Sequence, residues 1–301
     1  MIRGVIPVLY SFYDKSGALD LDAHMRQLEW ALAQQATGVT LLGLASEGAA
    51  LTQDERRRVI AKTASHLPAG KLLVITTRLD DNLGELARIA LEARDEVGLI
   101  VQIGRDPAPS MRQILEVSAD RSLAARVKLG LQLAPGLIDT AFSAVGLVEL
   151  PDILQRLSFL KAEYNSLALE AHLRVLGKRL DLLVGKNGQN LIDYLRIGAT
   201  GVIPGTEMTE PLASIVSDWM EGRHDRATQR YGAAAPYIDF AMQDLDTVID
   251  VGRAVTARAL GIAQVAGRRL APAQGDAFEP AIDFWFARWD AMQQDARVSA
   301  P

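Results

Sequence analysis

Lys161 stands at the end of a short apolar run, Leu157-Ser158-Phe159-Leu160, with Glu163 two positions beyond it. A lysine attacks a carbonyl only as the free amine, and an apolar setting favours that form because an ammonium is costly to desolvate. A lysine at the end of a buried strand is therefore suited to forming a Schiff base. The alternative is an edge strand from which Lys161 snorkels to water. A second lysine, Lys186, follows another short apolar run at 181–185. If the two runs are adjacent strands, about 4.8 Å apart, one ammonium can depress the other; otherwise Lys186 faces solvent in its loop. The turn Gly43-Leu44-Ala45-Ser46-Glu47-Gly48 lies between a strand-like run and a helix start at Thr52. Backbone N–H groups in such a turn can hold a carboxylate, unless it is an ordinary tight connection.

Other chemistries find less support. The histidines, His24, His66, His172 and His224, fall within or just after helical segments and lack metal-ligand spacing, so no metal site is expected. With no cysteine there is no thiolate ligand or cysteine nucleophile. Gly-x-Ser-x-Gly does not occur in a nucleophile-elbow setting. No cofactor is implied. A net charge of −5 without a basic run argues against a nucleic-acid surface. No apolar run reaches the ~18–20 residues of a membrane span, and the N-terminus lacks the features of a signal peptide, so a cytoplasmic protein is expected.

The elements that must position these residues repeat. Strand-like runs at 5–10, 39–43, 71–76, 98–103, 127–133, 158–163, 181–185 and 201–205 alternate with segments of helical period at 22–35, 52–66, 82–97, 110–121, 148–157, 166–179, 190–197 and 210–221. Parallel strands need crossover helices and bury both faces, so eight such units close most simply as a (β/α)8 TIM barrel, an α/β fold. The barrel is expected over 1–221. Helical stretches at 225–244, 248–266 and 278–293 form a C-terminal extension, 222–301, packed on it. The segment 136–146 has no clear period and either covers the barrel mouth or meets another subunit. In such a barrel, function sits at the C-terminal strand ends. These positions hold Tyr10, Ser46, Glu47, Arg78, Arg105, Gln132, Lys161, Glu163, Lys186 and Glu207.

The motifs at these ends resemble those of a known family. Ile6-Pro7-Val8-Leu9-Tyr10-Ser11-Phe12 with Gly17-Ala18-Leu19-Asp20 looks like an opening strand, a Thr-Pro-Phe turn and a Gly-x-Ile-Asp helix start. Gly43-Leu44-Ala45-Ser46-Glu47, with Leu51-Thr52 and Glu55-Arg56, looks like a Gly-Thr-Thr-Gly-Glu loop followed by Leu-Thr-x-x-Glu-Arg. Both patterns are those of the dihydrodipicolinate synthase and N-acetylneuraminate lyase superfamily, pyruvate-type class I aldolases, and the resemblance covers residues 4 to 265. It implies that Lys161 forms a Schiff base with pyruvate or another 2-oxo acid, including sugar acids. It also implies that residues 43–47 hold the substrate carboxylate, and that Gly185 and Ile203 line the site. Leu44 and Ala45 replace the family's paired threonines. Anchoring on Pro135 sets Gln132 where the family has its proton-relaying tyrosine, and glutamine is no acid or base near neutral pH. Substitute proton carriers are Glu163, Tyr10, Tyr164 or Lys186, while Arg78 or Arg105 can bind an acidic substrate. The expectation is an aldolase or dehydratase, not authentic dihydrodipicolinate synthesis, assembled as a homodimer or homotetramer. The alternative is a non-catalytic homologue that binds a small acid or a protein.

Overall fold

A computed structural model describes residues 1–135, 151–176, 180–262, 268 and 278–298. Eight parallel strands are present: β1 Gly4–Val5, β2 Gly38–Leu41, β3 Leu72–Thr77, β4 Val97–Val101, β5 Val127–Leu133, β6 Leu157–Ala162, β7 Asp181–Val184 and β8 Gly201–Val202. They pair in the order β1-β8-β7-β6-β5-β4-β3-β2. Val8 bridges both Thr40 and Gly205, and the Leu9 N–H donates to the Thr40 carbonyl at 3.0 Å, which closes the sheet between β1 and β2. The fold is a TIM barrel with C-terminal helices. The first strand is shorter than the expected 5–10, because Pro7 has no N–H to give a ladder.

Helix starts follow the capping chemistry of the sequence. Thr52 Oγ1 accepts from the Glu55 N–H at 3.2 Å while Glu55 Oε2 accepts from the Thr52 N–H at 2.9 Å, a reciprocal box that opens the helix Gln53–His66. The helix expected at 82–97 is Leu83–Leu91, since the chain turns polar after Leu91 and Val97 already pairs with Leu73 and Val127. Strand four accordingly begins one residue early. Of the helix expected at 148–157, the described part is a single turn, Pro151–Leu154, before β6. The segment 136–146, residues 148–150, and the ends of the expected helices at 177–179 and 263–266 lie outside the described residues. The last three helices are His224–Ala241, Leu245–Ala259 and Phe278–Val298. Among the described residues no helix is long and apolar enough to cross a membrane.

Two apolar layers lie on either side of the strands. Ile6, Val8, Val74, Ile100, Phe159, Leu183 and Ile203 fill the barrel interior. Leu73, Leu99, Leu129, Leu157, Leu160 and Leu182 belong to the layer beneath the helices. On a regular strand residues 157 and 159 would share a face, yet Leu157 faces the helices and Phe159 the interior. The register explains this: Leu129 pairs with Leu157 but Gly130 pairs with Phe159, so Ser158 is an extra residue, a bulge that reverses the facing of everything after it. Gly130 makes room for the inward ring, because a Cβ there would sit 2.3 Å from Phe159 Cε2. The same reversal turns Lys161 and Glu163 into the barrel.

Candidate active site

Lys161 lies inside the barrel near the C-terminal end of β6, only 5% exposed, paired in register with Gln132 on β5. Its Nζ is 3.2 Å from Glu163 Oε1. The second Glu163 oxygen accepts a hydrogen bond from Gln132 Nε2 at 2.7 Å, and Gln132 Oε1 accepts one from Gln102 Nε2 at 3.0 Å. The Lys186 N–H donates to Glu163 Oε1 at 3.2 Å. Glu163 is thus held from three sides with one oxygen toward the amine. Gly185 is required by this packing, because a Cβ there would meet Glu163 Oε1 at 2.2 Å. Gln132 has no titrating group, and its amide orients the Glu163 carboxylate beside the amine. Gln102 went unnoticed in the sequence, although period-two counting from inward-facing Ile100 reaches it.

The turn at 43–47 is held as firmly. Leu44–Ser46 form one 3-10 turn preceded by Gly43, and the first N–H groups of such a turn have no partner within it. Ser46 Oγ donates to the Gly43 carbonyl at 2.9 Å and Ser11 Oγ to the Ser46 carbonyl at 2.6 Å. Glu47 adopts the left-handed conformation at φ 52. Its buried carboxylate is ion-paired with Arg253, which also bonds Asp250 at 2.8 Å. Arg253 comes from the helix Leu245–Ala259, outside the eight repeats, and nothing at the strand ends announced it.

The remaining candidates divide between interior and rim. Ile203 is buried in the barrel interior. Arg78 is a rim residue, 3.2 Å from Asp80, and Arg105 is exposed. Lys186 adopts the left-handed conformation, with its side chain partly exposed. Tyr164 is half-buried, and its N–H donates to the Tyr194 hydroxyl at 3.2 Å. Tyr10 is fully buried and donates to Glu207 Oε2 at 2.9 Å, while Asn187 Nδ2 donates to Glu207 Oε1 at 3.1 Å. Burial pushes the Glu207 carboxyl above the usual carboxylate range. Burial, followed by the Glu207 charge, pushes the Tyr10 phenol well above its ordinary value. Trp289 Nε1 of the last helix donates to the Glu207 carbonyl at 2.7 Å, fixing the turn from outside. Among the described residues no group of three or more His, Asp or Glu side chains could hold a metal ion.

No family model matches the chain. A curated L-2-keto-3-deoxyarabonate dehydratase from Azospirillum brasilense is 29% identical over 246 residues, 79% of this chain and 79% of that protein. Among solved structures, the 4-hydroxy-tetrahydrodipicolinate synthase of Methylacidiphilum fumariolicum SolV superposes with a TM-score of 0.82 at 19% identity, covering 99% of each chain. A sialic acid aldolase from Ruminococcus gnavus superposes at 0.80 with 18% identity, over 97% of this chain and 98% of its own. The two solved structures bear on the fold, and the dehydratase adds likeness in sequence along most of the chain. With sequence likeness to the dehydratase along most of its length and a barrel that overlays synthase and aldolase alike, the chain is similar to the dihydrodipicolinate synthase and N-acetylneuraminate lyase family of Schiff-base lyases.

Proposed function

We propose that the protein is a dehydratase of a 2-oxo-3-deoxy sugar acid, with Lys161 as the Schiff-base nucleophile and Glu163 as its proton carrier. The observation that carries the reading is the inward-facing, buried Lys161 with Glu163 Oε1 at 3.2 Å. Glu163 can take the proton that the amine must shed before Nζ adds to the C2 carbonyl. Glu163 returns that proton to the C2 hydroxyl, which leaves as water, so the carboxylate is regenerated and the nitrogen of the protonated imine withdraws electrons from C3. Removal of a C3 proton by Glu163 then gives an enamine. The enamine expels the C4 hydroxyl, which takes that proton and leaves as water, and hydrolysis of the imine frees Lys161. The turn at 43–47 would seat the carboxylate on its backbone N–H groups.

The likeness to a dehydratase named for a 2-keto-3-deoxy acid favours elimination over aldol cleavage. The absence of a tyrosine at Gln132 speaks against dihydrodipicolinate synthesis. The test is intact-mass analysis after borohydride treatment with pyruvate and with a panel of 2-oxo-3-deoxy sugar acids. An adduct of the expected mass is predicted for wild type and its loss for Lys161→Ala. No adduct from folded wild type with any compound would overturn the reading in favour of a non-catalytic binder.

A further inference from the structure

We infer that Thr76 supplies the hydroxyl that holds the substrate carboxylate beneath the 43–47 turn. The inference rests on the Schiff-base reading above and adds a binding residue to it. Thr76 lies two positions beyond Val74, a member of the interior cluster, so strand alternation points it into the barrel as well. It is 1% exposed, and its Oγ1 has no hydrogen-bond partner among the described residues. Neighbouring threonines are satisfied. Thr77 Oγ1 donates to the Ile100 carbonyl at 3.1 Å, Thr40 Oγ1 to the Ile6 carbonyl at 3.0 Å, and Thr206 Oγ1 to the Val8 carbonyl at 2.7 Å. A buried hydroxyl left unpaired is costly, and such groups concentrate where a ligand completes them.

Its position connects it to the turn. A Cβ on Gly43 would lie 3.7 Å from Thr76 Oγ1, so the hydroxyl sits just under the first residue of the turn. The turn itself cannot offer an O–H. Leu44 and Ala45 have none, and the Ser46 proton is committed to the Gly43 carbonyl. A carboxylate resting on the turn's N–H groups would accept the missing hydrogen bond from the strand below. The group recognised is the C1 carboxylate of a 2-oxo acid, one bond from the carbon that Lys161 attacks.

The experiment measures adduct formation by Lys161 under borohydride against concentration, for pyruvate and for acetone, a ketone without a carboxylate. Thr76→Val is expected to raise the half-saturating pyruvate concentration by about tenfold or more, the loss of one hydrogen bond to a charged group. It should leave the acetone dependence unchanged, and Thr76→Ser should restore the pyruvate dependence. Thr76→Ala serves the same comparison if the valine variant folds poorly. Normal pyruvate dependence in these variants overturns the assignment of Thr76 and leaves the Schiff-base reading standing. Equal shifts for pyruvate and acetone also overturn it, since they mean a general disturbance of the site. No adduct in wild type with either compound or any 2-oxo acid overturns both.

Discussion

Lys161 and Glu163 are separated by one residue, so both side chains leave the same face of β6, and the bulge at Ser158 makes that face the inner one. That puts the Glu163 carboxylate within direct reach of the amine, Nζ to Oε1 3.2 Å. In the proposed reaction Glu163 is therefore the base, and a glutamine at position 132 does not leave it short of one. Glu163→Gln keeps the shape and the backbone contacts but removes the titrating group. It should lower kcat by ~10²–10⁴-fold while borohydride still traps the Lys161 adduct, as steady-state rates and intact mass on the same preparation would show. Gln132→Leu acts through Glu163 by removing its 2.7 Å donor. A smaller fall in kcat is expected there, with half-saturation for adduct formation unchanged; a matching rise in half-saturation would instead place Gln132 against the substrate.

At the scale of elements, one contact between helices responds to pH. His24, in the helix Leu21–Ala33, is 3% exposed and bonds Thr63 of Gln53–His66 through Nε2 at 2.9 Å. Burial pushes its pKa down to about 4 from 6.5. The unfolded chain therefore binds the extra proton first as pH falls. Stability is full above pH 6.5 and declines toward pH 4, by about 3 kcal/mol from this group. Urea midpoints at pH 7 and pH 4.5 should show that decline, and His24→Leu should flatten it. Where strands and helices lie was legible because apolar runs and caps such as Thr52 and Asp20 act locally. Boundaries were less so: 92–96 continued a helical pattern that the pairing of Val97 cut short. Of the candidate site, Lys161 and the 43–47 turn could be read from strand ends. Gln102 and Thr76 looked like ordinary strand residues until the inward faces were known. Arg253 could not be found, since an ion pair between residues so far apart leaves no periodic signal.

Across the whole molecule, the C-terminal helices are part of the site's support. Arg253 on Glu47 and Trp289 on the Glu207 carbonyl pin two strand-end turns from outside the barrel, and both contacts cross residue 221, where the repeats stop. Glu47 is almost wholly buried, so removing the Arg253 guanidinium takes an opposite charge away from its carboxylate in low dielectric. Arg253→Met should cost about 3–5 kcal/mol, read as a lower denaturant midpoint. Adding Glu47→Gln, which removes the carboxylate's charge, should recover a substantial part of that loss. If the double variant is no more stable than the single one, the cost lies in packing and not in the lost attraction between the two charges.

The sequence separation of 206 between Glu47 and Arg253 also sets an order in time. At ~5–20 residues per second of synthesis, the turn emerges from the ribosome about 10 to 40 s before the arginine that locks it. During that interval the nascent chain has its carboxylate turn without the clamp. A chain arrested before residue 253 would carry the 43–47 turn, and the Lys161 that the proposed reaction needs, without the arginine that holds that turn.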